Sequence, residues 1–334
     1  MEENVIMPLS CTRQEIAGIE DLLARMQRKE SEETVWAEFD FASLEQLYLV
    51  GSGDSYAVAL IVERYLNERA IIACRAVQSL EFLNIPARFF SDNALVVVIS
   101  ASGRPSPAFD ALYHALTSRA RVVGMTNSPG SPFSRLTSHM IFTDAHKQGL
   151  PTQSSSATLF LLMSLAEKIG RVNGEFAGIE AEKLGSRWNA AEWQSWFLAH
   201  RDAFFSQKVV FLGSGASWGL AYMASNLMAC GPQIEASYFH IEEYCHALRL
   251  NQAGRHHLVI MFPEKEGDES LCQHIQLKLS RKNALTYCFA ANEQSDTHNY
   301  LQQMLMLLFN LSLTLAERYV ALGGKRVTFE GVKC

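Results

Sequence analysis

The sequence predicts an α/β protein with two doubly wound parallel sheets, each covered by helices on both faces. Continuous runs of Val, Ile and Leu, bounded by Gly, Ser and Pro, are typical of parallel strands that are buried on both faces. The segments between these runs are long enough for the helices that right-handed βαβ crossovers require. The same succession occurs in both halves of the chain, so two sheets are predicted rather than one.

One strand–turn–helix motif occurs twice. Residues 47–60 read LYLVGSGDSYAVAL and residues 209–222 read VVFLGSGASWGLAY. Each copy has an apolar run, then Gly-Ser-Gly, then a short polar stretch that leads into a helix. The next strands follow in the same order, with residues 95–100 (LVVVIS) matching residues 258–263 (LVIMFP). These ordered matches predict an internal duplication, so function is expected where the halves differ.

The motifs divide the chain into four predicted parts. These are an N-terminal helical segment (1–35), a first α/β domain (36–177), a helical linker (178–205) and a second α/β domain with a C-terminal tail (206–334). In the first part, Thr12 and Glu15 have the spacing of a capping box at a helix start. The linker contains Trp188, Trp193 and Trp196 and is predicted to be helical.

Composition excludes several classes of protein. The chain has 334 residues, of which 48% are hydrophobic, and a net charge of −6, so two cores can form and neither nucleic acid nor a membrane is an expected partner. The longest apolar stretch, residues 304–316, is too short to span a bilayer, and the N-terminus does not resemble a signal peptide. Seven cysteines without a CxxC pair fit a reducing compartment. A cytoplasmic protein is expected.

Three strand-to-helix turns in the first half are rich in small hydroxyl residues. They are residues 51–55 (GSGDS), 100–106 (SASGRPS) and 151–156 (PTQSSS). Such turns lie at the carboxyl ends of parallel strands, where helix N-termini and hydroxyls favour phosphate. Any single serine could be an ordinary helix cap, but three such turns predict an anion site. The matching strand of the second half runs into Pro-Glu-Lys-Glu at residues 263–266, and these carboxylates are expected to repel phosphate.

A strand that ends in Ser-x-Ser-Gly, after a Gly-x-Ser turn and before a Ser/Thr-rich turn, resembles the sugar isomerase (SIS) domain family. The resemblance implies two tandem flavodoxin-like SIS domains, similar to the isomerase half of glucosamine-6-phosphate synthase and to the fructosamine-6-phosphate deglycases. It also implies a phosphosugar ligand, whose phosphate would contact a set of hydroxyls: Ser55, Ser100, Ser102, Ser106, Thr152, Ser154 and Ser155.

The serine motif departs from the family pattern at three positions. Family members commonly read Ser-Gln-Ser-Gly-Glu-Thr, whereas Ala101, Arg104 and Pro105 stand in place of Gln, Glu and Thr. The lost threonine removes one expected phosphate hydroxyl, for which Ser106 could substitute. Arg104 could add a phosphate contact or could be an exposed residue at a helix start.

Two residues of the second half, Glu243 and His246, resemble the family's Glu-x-x-His segment. A carboxylate and an imidazole are the groups that aldose–ketose proton transfer needs: one moves a proton between C1 and C2, and the other opens the ring or protonates a leaving nitrogen. By itself this spacing is weak evidence, because two polar residues three positions apart are common on the exposed face of a helix. Together with the hydroxyl turns, it predicts that these two side chains are catalytic.

Two further family features are only loosely matched. Related isomerases carry another acid about 16 to 18 residues before this His, where residues 228–230 read Met-Ala-Cys. Glu235 is the nearest substitute and is predicted as a third catalytic residue, with Glu242 as another candidate. The family also uses a lysine from the C-terminal tail, and either Lys325 or Lys333 could fill that role.

The resemblance implies a phosphosugar enzyme that needs neither a cofactor nor a metal. Because the sequence has no glutaminase domain, the expected reaction releases an amine. A deglycase would convert a fructosamine- or glucosamine-type 6-phosphate, such as fructoselysine or glucoselysine 6-phosphate, into hexose 6-phosphate and free amine. The alternatives are an aldose–ketose isomerase or deaminase of an amino-sugar 6-phosphate, and a non-catalytic phosphosugar sensor. A homodimer or larger homo-oligomer is also implied.

Overall fold

The computed structural model divides the chain into two compact units, residues 1–178 with 327–334 and residues 179–326. The structure describes residues 3–5, 9–32, 36, 39–69, 71–174, 190–247, 253–264, 266–290, 297–325 and 327–329. Trp188, Lys333 and most of the first half of the predicted linker lie outside the described residues. The remainder of the linker is helical.

The first unit contains a five-stranded parallel sheet. Its elements are β1 (Glu3–Val5), α1 (Leu9–Ala17), α2 (Ile19–Glu32), β2 (Gln46–Gly51), α3 (Asp54–Glu68), β3 (Ala73–Gln78), α4 (Ser79–Phe82), β4 (Ala94–Ile99), α5 (Pro107–Ala115), β5 (Arg121–Thr126), β6 (Met140–Phe142), α6 (Gln153–Val172) and, near the end of the chain, β11 (Val327–Phe329). The strand order is β3-β2-β4-β5-β6. The short strands β1 and β11 pair antiparallel outside this sheet.

Helices cover both faces of this sheet, as predicted. All six residues of β4 are buried, and alternate side chains point to opposite faces. On one face Val96 and Val98 pack in a cluster with Phe82 of α4 and Leu112 of α5. On the other face α3 contacts β2 and β3 and packs against α6. The strand-to-helix turns of β2 and β4 therefore share the carboxyl-end edge of the sheet.

The capping box predicted at Thr12 and Glu15 is wrong. Helix α1 already begins at Leu9, so both residues lie inside it. The Thr12 hydroxyl accepts a hydrogen bond from the N–H of Leu150 at 2.9 Å. The Glu15 carboxylate accepts from the N–H groups of Gln148 and Gly149. Both side chains thus bind the loop that leads into α6, far away in the sequence, and not the start of their own helix.

The second unit has a four-stranded parallel sheet. Its elements are α7 (Ala190–His200), α8 (Ala203–Ser206), β7 (Lys208–Gly213), α9 (Gly215–Cys230), β8 (Ala236–His240), α10 (Ile241–Ala247), β9 (His257–Phe262), α11 (Glu266–Ser280), β10 (Leu285–Cys288) and α12 (Thr297–Ala321). Its order β8-β7-β9-β10 repeats the order β3-β2-β4-β5 of the first unit. This shared topology is what the predicted duplication would produce. Among the described residues of this unit, no strand corresponds to β6.

The longest apolar run of the sequence belongs to α12. This helix is long and apolar enough to cross a membrane by length and composition, and 56% of its most apolar window is buried inside the protein. Leu308 and Phe309 are fully buried, and the Ser312 hydroxyl donates to the carbonyl of Leu227 on α9 at 2.8 Å. These contacts are those of an interior helix that packs against α9.

Candidate functional site

A pocket of about 320 Å³ opens at the carboxyl-end edge of the sheet of the first unit. Three segments line it: the β2–α3 turn, the β4–α5 loop, and the loop before α6 with the first turns of α6. Six of the seven predicted hydroxyl residues are among its lining residues, namely Ser55, Ser100, Ser102, Ser106, Ser154 and Ser155. The three turns that the sequence singled out therefore lie at one pocket.

The Gly-Ser-Gly turn after β2 brings the start of α3 close to the strand. A Cβ on Gly51 would lie 2.9 Å from Cβ of Ser55, so only glycine permits this approach. Gly53 has a φ of +56°, a conformation that glycine adopts without strain. The start of α3 therefore lies at the pocket beside Ser55.

The β4–α5 loop supplies three serines to the pocket. The N–H of Ser100 still donates to the carbonyl of Met125 at 2.9 Å, so this residue is fixed by the sheet. Ser106 precedes α5 as its N-cap residue, but its side chain makes no cap hydrogen bond. Within the described part of the chain, the hydroxyls of Ser100, Ser102 and Ser106 have no hydrogen-bond partner in the protein. They are free to bind a ligand.

Thr152 is the predicted site residue that the pocket does not include. It is the N-cap residue of α6, it is 1% exposed, and its hydroxyl forms no hydrogen bond with a described residue. Ser154 and Ser155, in the first turn of the helix, line the pocket instead. The Ser155 hydroxyl donates to the carbonyl of Pro151 at 3.2 Å, and the Ser154 hydroxyl has no such partner.

Sequence reasoning missed two lining residues that carry chemistry. Lys147, in the loop between β6 and α6, places a cation at the pocket, and Thr158 adds a hydroxyl whose bond goes to the carbonyl of Ser154. Arg104, which the sequence left open, also lines the pocket. Lys147 could have been found from its position: any charged residue between the last strand of the sheet and the next helix lies at the carboxyl-end edge.

This arrangement is suited to an anion. Three helices begin at the pocket, and each N-terminus offers the positive end of a helix dipole. Unpartnered serine hydroxyls surround the same space, and two cationic side chains line it. A phosphate group can accept hydrogen bonds from the hydroxyls, and the helix dipoles and the cations add favourable positive charge.

The second unit fills the corresponding position with its own carboxylate. Glu264 stands two residues after β9, as Ala101 stands two residues after β4, and it is only 7% exposed. Its carboxylate accepts hydrogen bonds from the N–H and hydroxyl of Ser217, the counterpart of Ser55, at 3.1 and 2.8 Å. The sequence predicted that acidic residues here repel phosphate. The structure shows that the carboxylate of Glu264 occupies the N-terminus of α9.

The surroundings of Glu264 fit a fixed internal anion. The N–H of Glu264 donates to the Ser214 hydroxyl at 3.1 Å, and that hydroxyl donates to Asp268 at 2.7 Å. Burial, with Glu264 nearby, raises the pKa of Tyr300, so that phenol stays neutral beside the carboxylate. The start of α9 is thereby closed to an external anion.

Replacing Glu264 with alanine is expected to lower the free energy of unfolding by about 3 kcal/mol, because two hydrogen bonds to a buried carboxylate are lost. Glu264→Gln keeps one acceptor oxygen and is expected to cost about half as much. Chemical denaturation measures both values. Glu235→Ala, which removes an exposed acid of the same unit, is the control, with a change below about 0.5 kcal/mol. An unchanged stability of Glu264→Ala would contradict the internal-anion interpretation.

Glu243 and His246 lie together on α10, which begins directly after β8 at the carboxyl-end edge of the second sheet. Ile241 and Tyr244 of this helix pack into the core, so both predicted catalytic side chains are exposed on its other side. The carboxylate of Glu242 lies 3.6 Å from Nε2 of His246. An exposed carboxylate and imidazole one turn apart can each transfer protons.

The structure does not bring Glu235 together with this pair. Glu235 precedes β8 and lines a separate pocket with Gln207 and Tyr319, at the amino-end edge of the sheet. The five residues of β8 separate it from α10 by about 16 Å. Lys325 follows α12 and is exposed. Residues 228–230 form the last turn of α9 and include no acid.

Comparisons with known proteins identify a domain family for part of the first unit. Residues 40–168 match the SIS domain family. The chain is 27% identical over 149 residues to the HTH-type transcriptional regulator RpiR of Escherichia coli K12, a match that covers 44% of this chain and 50% of the regulator. It is 24% identical over 216 residues to the glutamine–fructose-6-phosphate aminotransferase of Gloeobacter violaceus, covering 61% of this chain and 34% of the aminotransferase. The chain thus spans half or less of these relatives.

A solved structure extends the likeness over nearly the whole chain. Glucosamine-6-phosphate deaminase from Thermotoga maritima superposes with a TM-score of 0.69 and 16% identity, over 96% of this chain and 98% of the deaminase. At this identity the likeness concerns the fold. The family match spans every residue that lines the hydroxyl pocket. The chain therefore contains a SIS domain at residues 40–168, and the pocket belongs to that domain.

Proposed function

We propose that the protein is a phosphosugar enzyme that needs no cofactor, and that it acts as a deglycase on a fructosamine- or glucosamine-type 6-phosphate. The observation that carries this proposal is the pocket of about 320 Å³, where unpartnered serine hydroxyls meet three helix N-termini. Phosphate fits these donors, and a SIS domain surrounds them. The sugar would extend from the phosphate toward the mouth of the pocket.

The phosphate would be anchored by the first unit. Ser55 and Ser102 offer hydroxyls that have no partner among the described residues, and the starts of α3 and α6 add the positive ends of their helix dipoles. Charge-assisted hydrogen bonds to phosphate are roughly twice as strong as neutral ones. Anchoring one end of the substrate in this way restricts its orientation, which lowers the entropic cost of the chemical step.

The proton transfers are assigned to Glu243 and His246. In a fructosamine 6-phosphate, Glu243 would remove one proton from C1 as O2 takes up a proton, which gives an enaminol. The C1 proton would return at C2 as the N–H proton leaves, which gives an imine at C1. Water adds to that imine, and His246 would protonate the nitrogen as the C–N bond breaks. The balance is one substrate and one water in, one hexose 6-phosphate and one free amine out. These roles rest on the side-chain chemistry and on the family resemblance of the two residues.

A product assay tests this function. The protein is incubated with fructoselysine 6-phosphate, glucoselysine 6-phosphate, glucosamine 6-phosphate and fructose 6-phosphate, and free amine and hexose phosphates are quantified. A deglycase releases amine from the lysine adducts. Release of ammonia from glucosamine 6-phosphate alone would favour the deaminase alternative, and interconversion of hexose phosphates without amine release would favour an isomerase. Either result would replace the deglycase assignment.

A phosphosugar sensor is the second candidate, because the regulator RpiR matches this chain over 149 residues. A sensor needs the phosphate pocket but neither Glu243 nor His246. Calorimetry with glucose 6-phosphate and fructose 6-phosphate separates the two possibilities when it is combined with the product assay. Binding of a hexose 6-phosphate without turnover of any substrate would favour the sensor.

A further inference from the structure

We propose that Arg104 and Lys147 bind a carboxylate of the substrate, so that the pocket selects a sugar phosphate with a second anion at its far end. This inference rests on the proposed function, since it assumes that phosphate occupies the serine cradle. It concerns the part of the ligand beyond that phosphate.

The donors of the pocket differ in depth. Ser100, Ser154 and Ser155 are only 7%, 4% and 5% exposed and form its base. Arg104 and Lys147 are both exposed, and each lies on a loop. A phosphate at the base has hydroxyls and N–H groups as partners, so the two cations remain at the rim. An extended ligand held by its phosphate presents its other end there.

Neither cation has an ion-pair partner among the residues that the structure describes. The acids that contact the loop of Lys147 are engaged elsewhere: Asp144 pairs with Lys29 at 2.9 Å, and Glu15 accepts from backbone N–H groups of the loop. Arg104 follows Gly103, whose φ of +59° turns the chain between Ser102 and Pro105. Two cations thus lie at one rim without an ion-pair partner among the described residues.

The positive charge at the pocket is also larger than the negative charge that one phosphate carries. Among the residues lining the pocket, Asp54 is the one acid beside the two cations. Each of the three helix N-termini adds about half a positive charge, whereas a phosphate monoester carries about −1.5 to −2. One additional carboxylate would neutralise the remaining positive charge. Guanidinium and ammonium groups are suitable partners for it.

A matched pair of ligands tests the proposal. 6-Phosphogluconate and glucitol 6-phosphate are both acyclic and differ at C1, where one has a carboxylate and the other a hydroxymethyl group. Calorimetry on the full chain is expected to show about tenfold tighter binding of 6-phosphogluconate. Arg104→Gln and Lys147→Gln are each expected to reduce this preference, and the double variant to bring it close to one. Affinity for glucitol 6-phosphate should change less than about twofold.

Arg119→Gln is the control, because it removes one exposed positive charge of the same unit near the amino end of β5; the preference should persist in it. Equal loss of affinity for both ligands in the variants would show that the cations serve the phosphate, and equal affinity of the wild type for both ligands would also overturn the proposal. In either case the phosphate site, and with it the proposed function, would stand. If neither ligand binds, the proposed function itself fails.

Discussion

Glu243→Gln and His246→Gln are each expected to lower the turnover of a 6-phosphorylated fructosamine by about 10²–10⁴-fold. The amide of glutamine can neither remove a proton from carbon nor protonate a leaving nitrogen. Both side chains are exposed on α10, opposite the buried Ile241 and Tyr244, so their replacement leaves the core intact. Binding of glucitol 6-phosphate should change less than about twofold, because the serines of the first unit hold its phosphate.

Glu242 provides the matched control for this pair. It lies on the same helix, it is exposed, and its carboxylate is 3.6 Å from the imidazole of His246. Exposed ion pairs of this kind contribute about 1 kcal/mol or less, so Glu242→Gln should lower turnover only a few-fold. A loss as large as that of Glu243→Gln would mean that the carboxylate is assigned to the wrong residue. Full turnover in His246→Gln would remove that residue from the mechanism.

The two sheets could be predicted from the sequence because their signals are local. Residues 94–99 are a continuous apolar run, and all of them are buried in β4. The position of the serines at 55, 100 and 102 could also be predicted, since the short turn that follows a parallel strand lies at the carboxyl-end edge of the sheet. The structure adds that their hydroxyls remain unpaired within the described part of the protein.

Predictions failed where a side chain's partner is distant in the sequence. Thr12 and Glu15 have the spacing of a helix cap, yet they bind the loop at residues 148–150, more than 130 positions away. Lys147, directly before that loop, has no motif around it, and only its position between β6 and α6 indicates the carboxyl-end edge. The sequence shows that Glu264 is acidic, but the direction in which its side chain points depends on how β9 ends beside α9. No spacing rule describes these contacts, because they depend on tertiary packing.

Ala101→Glu is expected to close the phosphate pocket. Ala101 lines the pocket and corresponds to Glu264, two residues beyond the matching strand. A glutamate there can accept hydrogen bonds from Ser55, as Glu264 does from Ser217 at 3.1 and 2.8 Å. The new carboxylate would compete with phosphate for the start of α3. Affinity for hexose 6-phosphates should fall by about 100-fold or more, while the melting temperature of the free protein is maintained.

The control is Ala101→Gln, which adds nearly the same volume without the charge. It should lower affinity less than the glutamate does, because an amide does not neutralise the helix N-terminus. The measurement is the increase in melting temperature that inorganic phosphate produces, since a ligand stabilises the folded state only if it binds. We expect this increase in the wild type, a smaller one in Ala101→Gln, and none in Ala101→Glu. An undiminished increase in Ala101→Glu would mean that phosphate does not bind at the start of α3. The closing of a helix start by a carboxylate would then apply only to Glu264 in the second unit.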